Sequence, residues 1–180
     1  MSVSLDGYVE TPERSLDWVI VDEELHAFFN DEGRSVGTFL YGRRMYELMA
    51  AYWPTAEADP AATPMMVEFA RIWRETPKVV FSRTLADVAW NSRLVRDDAA
   101  GEVTRLKAGT GPDMDVGGAL LAGDLLRHGL VDEVRLFLNP VILGGGTPFF
   151  PPLGAPVGAR LLETRTFGSG VVLLRYEVAG

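Results

Sequence analysis

Apolar and polar positions along the chain fall into two patterns, short apolar runs of strand length and longer stretches with helical spacing. Their alternation predicts an α/β domain. Val3–Leu5 reads as the end of a strand broken by Asp6-Gly7. Leu25, Phe28 and Phe29 share one side of a helix from Asp22 to about Asp31. Val36–Tyr41 is a short apolar strand, and a helix carrying Met45, Leu48 and Met49 starts at Gly42. Met66, Phe69 and Trp73 mark an amphipathic helix over Pro64–Arg74. The strand Lys78–Phe81 runs into Ser82-Arg83-Thr84. Leu94–Val95 is a short strand, Ala99–Lys107 a short helix and Asp113–Val116 a brief strand. Gly117-Gly118 opens a helix to about Arg127, which Gly129 stops. Val134–Leu143 reads as one long strand interrupted by Pro140, which implies a bulge or an edge position because proline donates nothing to a ladder. Leu161–Arg165 and Val171–Val178 pair most simply as antiparallel strands around Gly168–Gly170, giving a mixed sheet.

A length of 180 residues, without repeats, low-complexity tracts or a linker between two cores, fits a single domain over 1–180. Cysteine is absent, which removes disulfides, thiolate nucleophiles and Cys-based metal sites. The two histidines, His26 and His128, are too far apart to share a helix turn, so no metal site is expected. A net charge of −8 lacks the basic footprint of nucleic-acid binding. No apolar run reaches the roughly 18–20 residues of a membrane span, and the N-terminus shows no signal-peptide pattern. A cytoplasmic protein with a small-molecule substrate, and neither nucleic acid nor membrane as partner, is the expectation.

Candidate chemistry gathers where strands end. Tyr41-Gly42-Arg43-Arg44 is a strand-to-helix junction: free N–H groups and the helix dipole favour an anion, glycine allows close approach, and the arginines add charge-assisted contacts. Ser82-Arg83-Thr84 sets two hydroxyls about a guanidinium, a pattern that suits a ribose phosphate and equally suits a turn. Val116-Gly117-Gly118-Ala119 presents successive N–H groups at a helix start, a shape that accepts pyrophosphate. Neither G-x-G-x-x-G nor a P-loop is present. Three such strand ends in one small acidic domain point to a ligand with several phosphates across the sheet edge.

The ordered motifs Ser4-Leu5-Asp6-Gly7-Tyr8, Leu16-Asp17-Trp18, Gly42-Arg43-Arg44-Met45-Tyr46-Glu47, Lys78 to Leu85, Val116-Gly117-Gly118, Gly129 to Glu133 and Pro140 to Gly146 together resemble the dihydrofolate-reductase-like superfamily. The likeness is strongest to the reductase domain at the C-terminus of bifunctional riboflavin-biosynthesis deaminase-reductases and to its stand-alone relatives. It implies a mixed, mostly parallel central sheet flanked by helices with antiparallel C-terminal strands, NADPH as hydride donor and, commonly, a homodimer. By position, Gly42, Arg43 and Arg44 would meet cofactor phosphates, and Ser82, Arg83 and Thr84 the adenosine 2′-phosphate. Gly117, Gly118, Ala119 and Leu120 would hold the pyrophosphate. Ser4, Gly7 and Trp18 would line the nicotinamide and substrate region. The chain departs from the family at Met45, where a hydroxyl residue is common, in its short N-terminal strand, and in lacking the deaminase partner.

The implied reaction is an NADPH-dependent hydride transfer to a small heterocycle, of the 5-amino-6-ribosylaminouracil or dihydropterin type. A carbonyl or imine acceptor also needs a proton. Asp6 is the first candidate donor, although Asp-Gly is equally a turn dipeptide, and Glu24 the second. His26 is expected on a solvated helix face and His128 at a helix C-terminus, where a partly cationic ring is favoured. The alternative is a non-catalytic ligand- or cofactor-binding module that keeps the fold.

Overall fold

Strands of a parallel sheet that are buried on both faces need no polar alternation, and Lys78–Phe81, paired in parallel with both of its neighbours, is nearly continuously buried. The computed structural model describes residues 1–179. The chain runs through β1 (Ser2–Val3), β2 (Tyr8–Glu10), α1 (Glu23–Ser35), β3 (Thr38–Gly42) and α2 (Arg43–Tyr52). A 3₁₀ turn (Trp53–Ala58), α3 (Pro64–Glu75), β4 (Lys78–Phe81), β5 (Ser92–Val95), α4 (Ala99–Lys107) and β6 (Met114–Gly117) follow. It closes with α5 (Ala119–Arg127), β7 (Glu133–Leu138), β8 (Thr147–Pro148), β9 (Ala159–Thr166) and β10 (Val172–Val178). The chain groups into two compact units, the continuous stretch Leu25–Leu121 and a second that joins Met1–Glu24 to the chain from Ala122 onward.

In the continuous unit the strand order is β5-β4-β3-β6, with every pair parallel. Tyr41 lies between Val80 and Gly117, and Leu40 between Val79 and Val116. Alternation along a strand therefore puts Phe39, Tyr41 and Val80 on one face, where Tyr46 and Trp73 complete a buried cluster. The Phe39 and Tyr41 rings stack with centroids 5.5 Å apart. Met45, Met49 and Phe69 pack against this cluster, the apolar sides of α2 and α3 that the spacing predicts. Each fully buried large apolar side chain here stabilises by roughly 1.5–3 kcal/mol. Thr63 caps α3, its hydroxyl accepting from the Met66 N–H at 3.3 Å, with Pro64 in the first turn.

The far end of α3 is closed by a lysine. Lys78 is 1% exposed; its Nζ donates to the Thr76 carbonyl at 2.7 Å and to the Trp73 carbonyl, and lies 4.3 Å from the Trp73 ring centre. Burial pushes its pKa down to about 8. The helix α1 runs four residues past the expected Asp31. Gly33 does not stop it, because that glycine sits in close helix packing, where a Cβ would lie 3.3 Å from Ile72 Cγ2.

In the other unit β1 pairs with β7 in parallel, and β7, β10 and β9 follow antiparallel. The antiparallel C-terminal pair is thus as expected, while the strand through Pro140 is not. β7 stops at Leu138 and lies between β1 and β10, away from any edge. The buried Asn139 ends it: Nδ2 donates to the Phe137 carbonyl at 2.9 Å, and Oδ1 accepts from the Ile20 N–H at 2.9 Å. Proline follows where the ladder is already over. A ribbon of β2 and β8, too short to signal itself in sequence, brings Gly146 so close to Glu10 that a Cβ would strike its carbonyl oxygen. The motif Gly144-Gly145-Gly146 is a turn built for that approach.

Candidate active site

The parallel order and register of the continuous unit place three of the predicted corners side by side. Gly42 ends β3 opposite Phe81, the last residue of β4 before Ser82; Gly117 ends β6 opposite Tyr41. All three face the same way, at the carboxyl ends of neighbouring strands, where α/β proteins bind ligands. The groups Gly42-Arg43-Arg44, Ser82-Arg83-Thr84 and Gly117-Gly118-Ala119-Leu120 therefore share one edge of one sheet.

The chemistry at each corner differs. Gly42 precedes α2 with extended backbone and offers no side-chain cap, and the first turn of α2 holds no acid. A Cβ on Gly42 would meet only Leu121 Cβ at 3.8 Å, so packing does not demand glycine there. Gly117 is different: a Cβ would lie 2.9 Å from Tyr41 Cε1 and 3.0 Å from Met45 Cγ. Tyr41 and Met45 thus account for this glycine without any ligand. Met45 is partly buried and packs against the cluster of Phe39, Tyr41, Tyr46, Trp73 and Val80. Gly118 has φ +105°, a conformation closed to other side chains. Ala119 is buried, whereas the Leu120 side chain is 77% exposed.

Arg43 ties two corners together. Its Nε donates to Glu47 Oε1 at 2.8 Å and its Nη1 to the Thr84 hydroxyl at 2.9 Å. The Ser82 hydroxyl accepts from the N–H groups of Thr84 and Leu85 at 3.2 and 3.1 Å, fixing the turn. Among the described residues Arg83 makes no hydrogen bond or ion pair, and it is exposed. One residue beside this corner was not singled out from the sequence. Arg96, directly after β5, donates to the carbonyls of Leu85 and Ala86, both at 2.9 Å. A basic residue one step beyond a strand end was the available signal.

The predicted substrate-side residues Ser4, Asp6, Gly7, Trp18 and Glu24 belong to the other unit. Ser4 is fully buried and donates to Asp6 Oδ1 at 2.7 Å while accepting from the Tyr8 N–H at 2.9 Å, so its side chain builds the turn instead of facing a substrate. Asp6 also accepts from the N–H groups of Leu143 at 3.1 Å and Gly144 at 2.7 Å. The Ser4 hydroxyl first, then those amides, hold its carboxyl below the ordinary 3.8. Glu24 accepts from the Gly168 N–H at 2.9 Å and from Arg165 Nη2 at 2.9 Å, and both lower its pKa, the amide most. In these contacts both carboxylates act as hydrogen-bond acceptors, an arrangement that favours their charged form. Gly7 has φ +89° with open space around it, and Trp18 donates from Nε1 to the Ser15 carbonyl at 3.2 Å.

His26 is not on a solvated face. Its ring lies edge-on to Trp53 and Phe69, each 6.1 Å away, and burial lowers its pKa. His128 follows the last turn of α5, with Nδ1 2.8 Å from the Asp124 carbonyl oxygen.

The sequence matches the family described as the RibD C-terminal domain over residues 1–173. The chain belongs to the RibD C-terminal domain family. It is 35% identical over 181 residues to the uncharacterized protein YyaP of Bacillus subtilis (strain 168), covering 100% of this chain and 93% of YyaP. Two solved structures share the fold of this RibD C-terminal domain. One is the diaminohydroxyphosphoribosylaminopyrimidine deaminase/5-amino-6-(5-phosphoribosylamino)uracil reductase of Thermotoga maritima, with 14% identity, TM-score 0.64, and 99% of this chain on 55% of that one. The other is the dihydrofolate reductase of Enterococcus faecalis, complexed with NADP(H), with 14% identity, TM-score 0.62, and 99% of this chain on 94% of that one. The chain is thus α/β with a dihydrofolate-reductase-like fold.

Proposed function

We propose that this protein is an NADPH-dependent reductase that acts on a small heterocycle of the 5-amino-6-ribosylaminouracil or dihydropterin class. The single observation that carries the reading is the alignment of the Gly42, Ser82 and Gly117 corners on one edge of the parallel sheet. The donor set fits a phosphorylated dinucleotide: backbone N–H groups at two helix starts, and Arg83, at the corner after β4, with no partner among the described residues. NADPH would supply a hydride when bound. Gly42, Arg43 and Arg44 would hold phosphate, and Gly117 to Leu120 the pyrophosphate through their backbone. Ser82, Arg83 and Thr84 would hold the 2′-phosphate. Arg43, already fastened to Thr84, orients that last corner.

In the unit containing the N-terminus, Gly7 and Trp18 would line the substrate region. Asp6 and Glu24 anchor loops there and stay charged, so the proton that accompanies reduction is assigned to water. The partly buried apolar face of Leu136, Leu138, Val172 and Leu174 suits a homodimer contact.

Thermal melting with and without NADPH tests the proposal. At a concentration 100 times Kd, a ligand that binds only the folded state adds about 2.7 kcal/mol, which for a chain of this size raises Tm by about 5–10 °C. No shift at saturating cofactor overturns it. A second reading, a module that binds without reducing, is favoured by the two occupied carboxylates. NADPH shifting Tm while no oxidation is seen with flavin precursors, dihydropterins or simple carbonyls selects that second reading.

A further inference from the structure

Ten residues, from Ser82 to Asn91, separate β4 from β5 without helix or strand, and this segment carries the Ser82-Arg83-Thr84 corner. Carbonyls in such a segment lack ladder partners and must find donors elsewhere. The start of the segment is held by Ser82, whose N–H donates to the Val95 carbonyl at 3.0 Å. Its far part is held by Tyr46, whose hydroxyl accepts from the Ala89 N–H at 2.8 Å. Between these ties lie Leu85 and Ala86, and there the Arg96 guanidinium closes on two successive carbonyls, Nη1 to Leu85 and Nη2 to Ala86, each at 2.9 Å.

The choice of partner is informative. Arg93 and Arg105 both pair with Glu102, as surface arginines commonly do. Arg96 sits next to Asp97 and Asp98 in sequence, yet among the described residues no carboxylate pairs with it. A planar fork matches two adjacent carbonyl oxygens in a way that a lysine ammonium cannot. Because its partners are neutral, the full positive charge of Arg96 remains beside the corner.

We infer that Arg96 is a positioning residue for recognition of the cofactor's 2′-phosphate: it fixes the path of residues 82–86 and so aims Arg83 and Thr84. This rests on the NADPH reading above. The test measures Kd for NADPH and for NADH, which lacks the 2′-phosphate, in wild type, R96A, R96K, R83A and R83A/R96A. The expected result is that R96A and R96K each weaken NADPH by about tenfold while NADH changes by less than about twofold. R83A should do the same. The double variant should be no weaker than R83A alone, because Arg96 acts through the segment that carries Arg83. Full retention in R96K, an unchanged NADPH/NADH ratio in R96A, or equal loss for both cofactors overturns the inference. Additive loss in the double variant does so too, since Arg96 would then touch phosphate itself. If R96A does not fold, R96K carries the same comparison. A wild type that binds no NADPH defeats the underlying reading, and that outcome is visible before any variant is made.

Discussion

Two cations stand at opposite ends of one strand. Lys78 opens β4, is fully buried and donates hydrogen bonds to carbonyls at the end of α3. Arg83 lies just past the carboxyl end of β4, exposed and without a described partner. At the amino end the fold also packs Gly37 so tightly on Pro112 that a Cβ would collide with the ring. At the carboxyl end Gly42 has room around it. Burial against two carbonyls marks Lys78 as a group serving the fold, whereas on the proposed reading the exposed Arg83 guanidinium is kept for the cofactor. The contrast is measurable, because the two cations should fail in different assays.

The largest effect is expected from Lys78→Ala. It removes a buried stem and leaves two helix-end carbonyls without a donor, so urea unfolding should show a loss of about 3 kcal/mol. Arg83→Ala should change stability by less than about 0.5 kcal/mol. Equal losses would break the distinction between the two ends.

The second effect is the pH dependence of the buried end. The unfolded chain keeps the Lys78 proton up to its ordinary 10.5, while the folded chain releases it near 8. Between those values the unfolded state binds more protons, so raising the pH favours folding. Wild type should gain on the order of 2–3 kcal/mol over Lys78→Ala across that window. A flat difference would mean that the ammonium is not held at a cost.

The third concerns the open end. Arg83→Ala should weaken NADPH by about tenfold and leave NADH nearly unchanged, as read by fluorescence titration. Equal loss would remove the 2′-phosphate assignment while sparing the rest of the sheet edge.

The smallest is in the other unit. Glu24 is held below its ordinary 4.5, so its contribution is present above that value and is lost as pH falls through the lowered one. Wild type should therefore lose more Tm than Glu24→Gln between about pH 5 and about pH 3, and Asp6→Asn should behave alike. Parallel curves would show that neither carboxylate anchors its loop.

What could be read in advance follows from where the information lies along the chain. The corners were legible because each is a local event: at Gly42 and Gly117 a strand runs into glycine and then a helix, and at Ser82 a strand runs into a hydroxyl-flanked arginine turn. Helix faces such as Met66, Phe69 and Trp73 were legible for the same reason. The fate of Asp6 was not, because its partners Leu143 and Gly144 come from a distant loop; Glu24 likewise meets Gly168 across most of the chain. Asp-Gly was read correctly as a turn signal, but nothing local says that the carboxylate is filled by amides. The stop at Asn139 and the close approach of Gly146 to Glu10 are likewise set by tertiary neighbours. His26 had acidic neighbours in sequence and aromatic ones in space.

The bridge from Arg43 to Thr84 carries one last consequence. A long side chain usually wanders until a guest arrests it, and that arrest weakens association. Here Glu47 and Thr84 hold the guanidinium in place. Loosening either tether should leave the shape of the bound complex alone and slow its formation, a signature to be sought in association rates.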